Sequence, residues 1–185
     1  MRSKRRQSNL GFRLMSLEFR IRDGFRPPIK MLQEAGVRSG MKVLDFGCGP
    51  GSFSMAASRL VGSEGLVYAL DNHPLALKTV RRIMNKKGFE NIRPLSGGDL
   101  ANIPHESIDM ALLYDVVHDL SDPCPVLTEL QRVLKPDGTL SIRDHHLKEA
   151  PLVSVITNGG FFRFTGSNRG VSRFVKAGTT EMTSS

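Results

Sequence analysis

The sequence predicts an α/β fold in which a doubly wound, mostly parallel sheet carries helices on both faces. Short apolar runs of strand length alternate with longer segments whose apolar residues recur at helical spacing. Strands that alternate with helices pair in parallel, because each helix carries the chain back across the sheet. A strand, a glycine-rich loop and a helix also follow one another directly at residues 43–54 (VLDFGCGPGSFS). In doubly wound sheets this arrangement presents a nucleotide-like ligand at the carboxyl edge.

The predicted elements follow one another with short connections. Pro27-Pro28 is expected to start a helix over residues 29–35 that Gly36 ends, because proline suits the first turn of a helix and glycine its end. The strands are predicted at Lys42–Phe46, Leu66–Leu70, Ile92–Leu95, Ile108–Tyr114 and 139–143. Further helices are predicted after the glycine loop, from Pro74 to Gly88, from Pro123 with Leu134 as the last buried residue, and near 149–158.

Two further signals concern a turn and the C-terminal part of the sheet. Lys135-Pro136-Asp137-Gly138 predicts a turn before the fifth strand. Residues 161–164 and Val171–Lys176 predict an antiparallel hairpin, because two strand-like runs flank the glycine-rich residues 166–170. We therefore expect a sheet that is parallel except for this C-terminal hairpin.

Length and composition indicate one globular domain. The chain has 185 residues, of which 39% are hydrophobic, and this suffices for one core but not for two ordinary domains. No run approaches the roughly 18–20 apolar residues that a membrane span needs, and the basic N-terminus lacks the apolar segment of a signal peptide. The two cysteines, Cys48 and Cys124, exclude a disulfide framework. A cytoplasmic location is the simplest interpretation.

The formal charge of +8 is concentrated at the two ends of the chain. Residues 1–30 contain nine Lys and Arg against two acidic residues, whereas residues 31–159 carry a small net negative charge. We predict three parts: a basic N-terminal arm or lid over 1–25, the folded domain over 26–176 and a disordered tail over 177–185.

The basic arm is open to three interpretations. It is a solvated segment, a contact for a nucleic acid or an anionic membrane surface, or a contact for an anionic small substrate. Residues 11–25 also contain apolar side chains between the arginines, and the regular count of strands and helices has no place for them. We expect this segment to close over the site as a lid. The sequence does not predict an oligomeric state.

The glycine loop carries the strongest functional signal. Gly47, Gly49 and Gly51 let the backbone turn sharply and approach a ligand, because no Cβ is in the way, and Cys48 is a small spacer between them. A dinucleotide phosphate is disfavoured, because Asp45 lies two residues before the first glycine and would repel it. The same carboxylate suits S-adenosylmethionine, which carries an ammonium and no phosphate. A purely structural turn is the alternative.

Further candidate side chains lie at the carboxyl ends of the other predicted strands. Asp71 ends the second strand, where it can accept hydrogen bonds from two ribose hydroxyls; the alternative is a cap for the helix that starts at Pro74. Asp99 follows the third strand, where it can accept from an adenine amino group or belong to an ordinary polar turn. The fourth and fifth strands end in or are followed by Tyr114, Asp115, His118, Asp144, His145 and His146.

Together these segments resemble the class I S-adenosylmethionine-dependent methyltransferases of the small, insertion-free type. The resemblance covers roughly residues 26–176 and rests on VLDFGCGPG (43–51), VYALDNHP (67–74), SGGDLANIP (96–104), and the pair LLYDVVHDL (112–120) and LKPDGTL (134–140). It implies a Rossmann-like sheet of seven strands whose seventh strand is antiparallel. One departure is the pair Gly97-Gly98, where a single glycine is usual.

The resemblance also implies roles for individual residues. The glycine loop with its preceding acid would hold the methionine part of the cofactor, Asp71 the ribose, and Asp99 with Leu100 the adenine. Tyr114 and His118 would line the pocket of the methyl donor. The complete set of implied cofactor-binding residues is Asp45, Gly47, Cys48, Gly49, Gly51, Asp71, Asn72, Gly98, Asp99, Leu100, Tyr114 and His118.

Methyl transfer needs alignment of the acceptor with the methyl group in a dry site, and a base if the acceptor must lose a proton. His118 is the candidate base, because it follows the fourth strand and histidine titrates near neutrality. The alternative is a histidine on a helix face that only contacts the cofactor. His145 and His146 are interpreted as polar residues at the end of a strand, and no metal site is predicted.

The sequence narrows the class of acceptor. The residues after the fourth strand (YDVV) lack the Asn/Asp-Pro-Pro-Tyr/Phe motif of enzymes that methylate amino groups of nucleobases. Enzymes that methylate C5 of cytosine need a nucleophilic cysteine. Cys124 lies at the start of a predicted helix, past the loop after the fourth strand, so we do not expect it to be that nucleophile. We therefore predict in-line SN2 transfer of a methyl group to a small-molecule acceptor. The alternatives are a non-catalytic cofactor-binding subunit, and a methyltransferase that acts on RNA, protein or lipid recruited by the basic arm.

Overall fold

The computed structural model describes residues 27–178, and the structural statements below refer to this part of the chain. Its strands are β1 Lys42–Phe46, β2 Leu66–Leu70, β3 Ile92–Leu95, β4 Ile108–Tyr114, β5 Leu134–Arg143, β6 Phe162–Asn168 and β7 Val171–Lys176. Its α-helices are α1 Pro28–Ala35, α2 Ser52–Val61, α3 Pro74–Lys87, α4 Cys124–Val133 and α5 Glu149–Thr157, with short 3₁₀ helices at Gly97–Asn102 and Val117–Asp119. The lid predicted at residues 11–25 and most of the predicted tail lie outside the described residues.

The strands of this region form one seven-stranded sheet in the order β3-β2-β1-β4-β5-β7-β6. Neighbours from β3 to β5 are parallel, whereas β7 pairs antiparallel with both β5 and β6. The predicted doubly wound, mostly parallel sheet with a C-terminal antiparallel hairpin is therefore confirmed. The strand order reverses between β1 and β4, and open α/β sheets bind their ligands at such a switch point.

Helices cover both faces of the sheet. One buried cluster joins α1, α2 and α3 with strand residues such as Val43 and Val67, and the other joins α4 and α5 with residues such as Leu44 and Leu70. Successive side chains of a strand point to opposite faces, which assigns each strand residue to one cluster or the other. By this alternation Asp45 faces the same side as Val43, toward α2.

The start of β5 differs from the prediction. Leu134, predicted as the last buried residue of a helix, is instead the first residue of β5 and is fully buried. The turn predicted at residues 135–138 lies inside this strand, where the register of its pairing with β4 shifts. Pro136 has no N–H to donate to a ladder, so the turn signal in the sequence marks an irregularity within the strand.

The hairpin is also tighter than predicted. Residues 166–168, predicted as loop, belong to β6, and only Arg169 and Gly170 connect the two strands. Both residues have positive φ, 50° and 76°. Two central residues with positive φ are typical of the two-residue turn whose twist matches that of the flanking strands. The sequence signal was ambiguous, because the loop segment contains two glycines and only the second one lies in the turn.

Candidate functional site

The candidate site lies at the carboxyl edge of the parallel strands. These strands run in the same direction and in register, so that Phe46 of β1 pairs with Leu70 of β2, and Tyr114 of β4 with Arg143 of β5. The loops that follow the strands therefore meet at one edge, although they are far apart in the sequence. All predicted site residues lie in or directly after these strands.

The glycine loop after β1 is fastened to the end of β2. Gly47, Gly49 and Gly51 have φ angles of 77°, 52° and 89°, which residues with a side chain rarely adopt. The N–H groups of Gly47 and Cys48 donate to the Leu70 carbonyl at 2.8 and 2.9 Å. The loop therefore has a fixed path directly above the ends of two neighbouring strands.

Two of these glycines are also required by packing. A Cβ on Gly47 would lie 2.5 Å from a methyl group of Val116, and a Cβ on Gly51 would lie 2.8 Å from one of Val80. Both distances are far below van der Waals contact. The glycines thus serve the packing of the fold, and their role toward a ligand stays a prediction.

Asp45 lies buried beneath the loop, with 2% of its surface exposed. Its side chain points toward α2, where the Ser54 hydroxyl donates a hydrogen bond of 2.5 Å to it. Burial raises the pKa of Asp45 to about 6; the Ser54 hydroxyl lowers it, and the nearby charge of Asp71 raises it. The ionised carboxylate is therefore costly here unless a positive charge comes close.

Asp71 follows β2 and faces the glycine loop. One of its carboxylate oxygens accepts from the Gly49 N–H at 2.8 Å, and the other accepts from the His73 N–H at 2.7 Å. The cap of α3 is His73 rather than Asp71, because its Nδ1 accepts from the Leu75 N–H at 3.2 Å. Burial raises the pKa of Asp71 in spite of the hydrogen bonds that lower it. Two partly desolvated carboxylates thus lie beside the loop.

Cys48 is an inert spacer within the loop. Its thiol is buried and donates weakly to the Gly49 carbonyl at 3.7 Å. Burial raises the pKa of the Cys48 thiol, and the charges of Asp45 and Asp71 raise it further. The thiol stays protonated at neutral pH, which excludes a nucleophilic role for it.

The first of the two glycines after β3 has a steric reason. A Cβ on Gly97 would lie 1.9 Å from Oδ1 of Asn72, whereas a Cβ on Gly98 would meet no atom within 4 Å. The Asn72 side chain, which follows β2, therefore lies directly against Gly97. The departure from the usual single glycine lets the loops after β2 and β3 touch.

Asp99 stabilises the start of its own 3₁₀ helix. The backbone N–H and the hydroxyl of Ser96 both donate to Oδ2 of Asp99, at 2.9 and 2.7 Å. These two hydrogen bonds lower the pKa of Asp99. The carboxylate thus has the ordinary turn role, and its second oxygen takes part in neither bond. Leu100, the next residue, is buried in the core.

Tyr114 forms a buried wall at the end of β4. Its ring meets the ring of Phe53 edge-on at 4.7 Å between centroids, and its hydroxyl lies 2.9 Å from the Ser141 hydroxyl. Burial raises the pKa of Tyr114 to about 12. The phenol is therefore neutral at physiological pH, and the ring is held in place at both ends.

The loops after β4 and β5 are joined by two crossed carboxylate–histidine pairs. His118, after β4, lies with Nδ1 2.9 Å from Asp144, after β5. His145, after β5, lies with Nδ1 2.7 Å from Asp115, after β4. The His146 ring lies between them, with its centroid 4.1 Å from that of His118 and 3.9 Å from that of His145. We call these five residues the histidine cluster.

His145 and His146 are predicted as polar residues at the end of a strand, and both follow the last residue of β5 closely. The structure adds that their rings contact each other and belong to the histidine cluster. Neighbouring side chains diverge on a regular strand, but β5 ends at Arg143, and both rings turn to the same side in the chain that follows. The matching signal in the sequence is an Asp next to the end of each strand, with histidines close behind. Within residues 27–178, no group of three or more His, Cys, Asp or Glu is arranged to hold a metal ion.

Replacing Asp45 by Asn is expected to raise the free energy of unfolding near pH 8 by about 1–3 kcal/mol. Between pH 3.8, the usual value, and about 6, folded Asp45 keeps a proton that the unfolded chain has lost. Its contribution to stability therefore falls as the pH rises through this window. Urea unfolding at pH 4, 6 and 8 measures the difference, which should shrink toward pH 4.

The matched control is Asp137→Asn. Asp137 is exposed and lies near the start of β5, away from the carboxyl edge of the sheet. The substitution should alter the free energy of unfolding by less than about 0.5 kcal/mol at each pH. If Asp45→Asn is less stable than the wild type at pH 8, the ionised carboxylate stabilises the fold and the argument from burial is wrong.

Comparisons with known proteins agree with this geometry. Residues 37–161 match the model of a methyltransferase-domain family. The ubiquinone/menaquinone biosynthesis C-methyltransferase UbiE of Marinomonas sp. (strain MWYL1) is 30% identical over 134 residues, which are 71% of this chain and 53% of that protein. The demethylmenaquinone methyltransferase of Staphylococcus aureus (strain MRSA252) is 34% identical over 111 residues, 59% of this chain and 45% of that enzyme. The chain spans about half the length of these curated relatives.

Solved structures show the same fold. A SAM-dependent methyltransferase from Aquifex aeolicus superposes with a TM-score of 0.73 at 27% identity, over 82% of this chain and 89% of that chain. A TehB-like SAM-dependent methyltransferase from Corynebacterium glutamicum, at 18% identity, superposes with a TM-score of 0.68 over 91% of this chain and supports the fold alone. The family match over most of the chain shows that this protein belongs to the class I S-adenosylmethionine-dependent methyltransferases.

Proposed function

We propose that this protein transfers a methyl group from S-adenosylmethionine to a small-molecule acceptor. The observation that carries the proposal is the pair of carboxylates, Asp45 and Asp71, beside the glycine loop. Burial raises the pKa of both, so a cationic group nearby would stabilise their ionised forms. The methionine part of this cofactor is cationic, whereas the phosphates of NAD or ATP would be repelled. The residues present therefore fit S-adenosylmethionine.

Asp71 would hold the ribose. A carboxylate offers about four acceptor positions, and the N–H groups of Gly49 and His73 occupy one on each oxygen. The Asn72 N–H also contributes a hydrogen bond to this carboxylate, and the acceptor capacity that remains would receive the ribose hydroxyls. Hydrogen bonds to an ionised acceptor are about twice as strong as those between neutral groups.

The adenine would lie at the loop after β3. Asn72 reaches this loop from the end of β2, and the space around Gly98 is open. The oxygen of Asp99 that does not bind Ser96 can accept from the amino group of the base. Leu100, which is buried directly after Asp99, would supply an apolar contact at the same place.

Catalysis would depend on alignment more than on reactive groups. When bound, S-adenosylmethionine supplies a methyl group on a sulfonium that leaves readily. The buried rings of Tyr114 and Phe53 give a rigid wall that excludes water beside the loop. His118 lies at the same edge with 24% of its side chain exposed. It can therefore meet an acceptor that enters from solvent and accept a proton from it.

The relatives suggest an acceptor class. One is named for C-methylation in ubiquinone and menaquinone biosynthesis, and another for methylation of demethylmenaquinone. By analogy with them we propose a reduced quinone ring, a small aromatic molecule with hydroxyl groups, as the acceptor of this protein. The analogy supports a small molecule over RNA or protein.

Location and other partners remain predictions from the sequence. None of the helices within residues 27–178 combines the length and the apolar character that crossing a membrane requires. The cytoplasmic location, and a contact of the basic residues 1–30 with a nucleic acid or an anionic membrane surface, are proposals that rest on composition and charge alone.

The proposal predicts that S-adenosylmethionine and S-adenosylhomocysteine each raise the melting temperature, while NAD and ATP do not. A ligand at a hundredfold excess over Kd stabilises the folded state by about 2.7 kcal/mol, which thermal unfolding detects. With a methyl-labelled cofactor and a naphthohydroquinone, label should pass into the organic extract. Binding without transfer to this quinol or to any component of a metabolite or lipid extract would favour the non-catalytic subunit, and a shift with NAD alone would contradict the cofactor.

Asp71→Ala is expected to weaken cofactor binding by roughly 2–3 kcal/mol, because the charge-assisted bonds to two hydroxyls are lost. Titration calorimetry with S-adenosylhomocysteine measures the effect, and circular dichroism checks that the variant is folded. Asp137→Ala is the control and should bind with unchanged affinity. A folded Asp71→Ala protein with wild-type affinity would show that Asp71 only fastens the glycine loop.

Gly97→Ala and Gly98→Ala form a matched pair that tests the adenine side. The Gly97 change displaces the end of the Asn72 side chain, which costs little in stability because that side chain can move. If Asn72 contacts the cofactor, Gly97→Ala should weaken binding of S-adenosylhomocysteine at least about tenfold, and Gly98→Ala should weaken it less. Equal affinities of both variants and the wild type would remove Asn72 from the cofactor site.

A further inference from the structure

The ends of β4 and β5 are tied together by the histidine cluster in a reciprocal way. Tyr114 and Arg143 pair at the ends of the two strands, and the residue that follows each strand is an aspartate. Each aspartate contacts a histidine from the loop after the other strand, Asp115 with His145 and Asp144 with His118. The arrangement needs both loops at once, so its function belongs to the edge where they meet.

Asp144 fixes the orientation and the tautomer of His118. The Asp144 side chain is fully buried and accepts from the His118 backbone N–H at 3.1 Å, from His118 Nδ1 at 2.9 Å and from the His146 N–H at 3.0 Å. An ionised carboxylate can only accept. Nδ1 of His118 therefore carries the hydrogen, and in the neutral ring Nε2 presents its lone pair.

The two pairs differ in the charge that surrounds the aspartate. Asp115 lies 3.6 Å from the Arg143 guanidinium as well as 2.7 Å from His145. Burial acts to raise the pKa of Asp115, but the contacts with His145 and Arg143 lower it below its usual value. Within residues 27–178, no Lys or Arg forms an ion pair with Asp144, and its cationic partner is His118 when protonated.

Carboxylate oxygens lie beside both nitrogens of the His118 ring. Asp144 contacts Nδ1, and the exposed Asp119 lies 3.7 Å from Nε2. The neighbouring rings of His145 and His146 are neutral when deprotonated, and Arg143 is already paired with Asp115. The charges that face His118 from its own loop and from the loop after β5 are thus mostly negative. A proton on Nε2 would complete an ion pair with a buried carboxylate rather than add an isolated charge.

We propose that Asp144 is the positioning residue that makes His118 a general base, and that this pair selects acceptors whose hydroxyl must lose its proton during methylation, such as a phenol-type hydroxyl. This proposal rests on the proposed function. It narrows the small-molecule acceptor to one that arrives protonated, in contrast to a thiolate or a tertiary amine, which needs no base.

The proposed step is balanced in protons and electrons. The hydroxyl proton of the acceptor passes to Nε2 of His118, and its bonding pair stays on the acceptor. The acceptor oxygen, or a ring carbon conjugated with it, forms the bond to the methyl carbon, and the carbon–sulfur pair stays on sulfur. If the ring carbon reacts, that carbon then releases its hydrogen as a proton and the oxygen regains one. In both cases one proton leaves overall, through His118 to water.

The first test needs no turnover. In protein labelled with ¹⁵N-histidine, two-bond nitrogen–proton correlations at a pH where the ring is neutral should show His118 protonated on Nδ1, with Nε2 free. Asp144→Asn should shift this signal toward a mixture of tautomers, and His105→Gln, a change at an exposed histidine, should leave it unchanged. A wild-type signal from the Nε2-protonated tautomer would overturn the positioning role, whatever the activity.

The second test separates the acceptor class from the cofactor. For a naphthohydroquinone, Asp144→Asn should lower kcat about 10–100-fold. The part of the pH–kcat profile where kcat rises with pH should also move to lower pH. Affinity for S-adenosylhomocysteine should stay within about twofold, and thiophenol, which is largely ionised at pH 8, should be methylated at wild-type rate by the variant. Asp137→Asn is the control.

The outcomes test the proposed function and the role of Asp144 separately. Failure of the cofactor to bind the wild type would overturn the proposed function. Normal cofactor binding, with an equal loss of kcat for thiophenol and for the quinol in Asp144→Asn, would overturn the selection of protonated acceptors. An unchanged pH profile in Asp144→Asn would overturn the role of Asp144 in positioning the base.

Discussion

Parallel pairing of β1 with β2 on one side and β4 on the other is the constraint on which the rest of the structure depends. It brings the carboxyl ends of these strands to one edge, and every candidate residue lies at that edge. The Leu70 carbonyl at the end of β2 accepts two N–H groups of the glycine loop, so the path of the loop is set by its neighbour strand. Without this register Asp45 and Asp71 would not lie beside the same loop.

The site buries a carboxylate, which costs free energy that an apolar side chain at the same position would not cost. Asp45 occupies a strand position on the α2 face where Val43 is apolar, and its burial opposes ionisation. Ser54 supplies one hydrogen bond, which offsets part of the desolvation. A position that breaks the apolar alternation without a compensating cation among the described residues is where a ligand is expected to supply one. Under the proposed function, this one carboxylate would link the fold to the cofactor.

Much of this molecule could be predicted from local sequence signals. The bounds of β1 to β4, the glycine loop, and the acidic residues within β1 and after β2 and β3 depend on patterns within about 15 residues, which periodicity and turn chemistry describe. The irregularity at Pro136 and the hairpin turn at Arg169 could not be predicted, since both depend on pairing with a distant strand. The histidine cluster depends on contacts between residues 26 and 30 positions apart, and no local pattern contains that information.

The strand order also divides the chemistry of the edge into two regions. Near β1 and β2 burial desolvates the carboxylates Asp45 and Asp71, which suits a cationic ligand. Near β4 and β5 the carboxylates already contact imidazoles, which suits exchange of a proton. Two strand spacings of about 4.8 Å separate β1 from β5, so the regions lie roughly 10 Å apart. A methyl group carried between them would lie over the end of β4, beside the buried Tyr114 ring. Under the proposed function, the carboxylates that would bind a cation, the wall that would exclude water and the histidine that would accept a proton follow one another along the edge, in the order that a transfer from cofactor to acceptor requires.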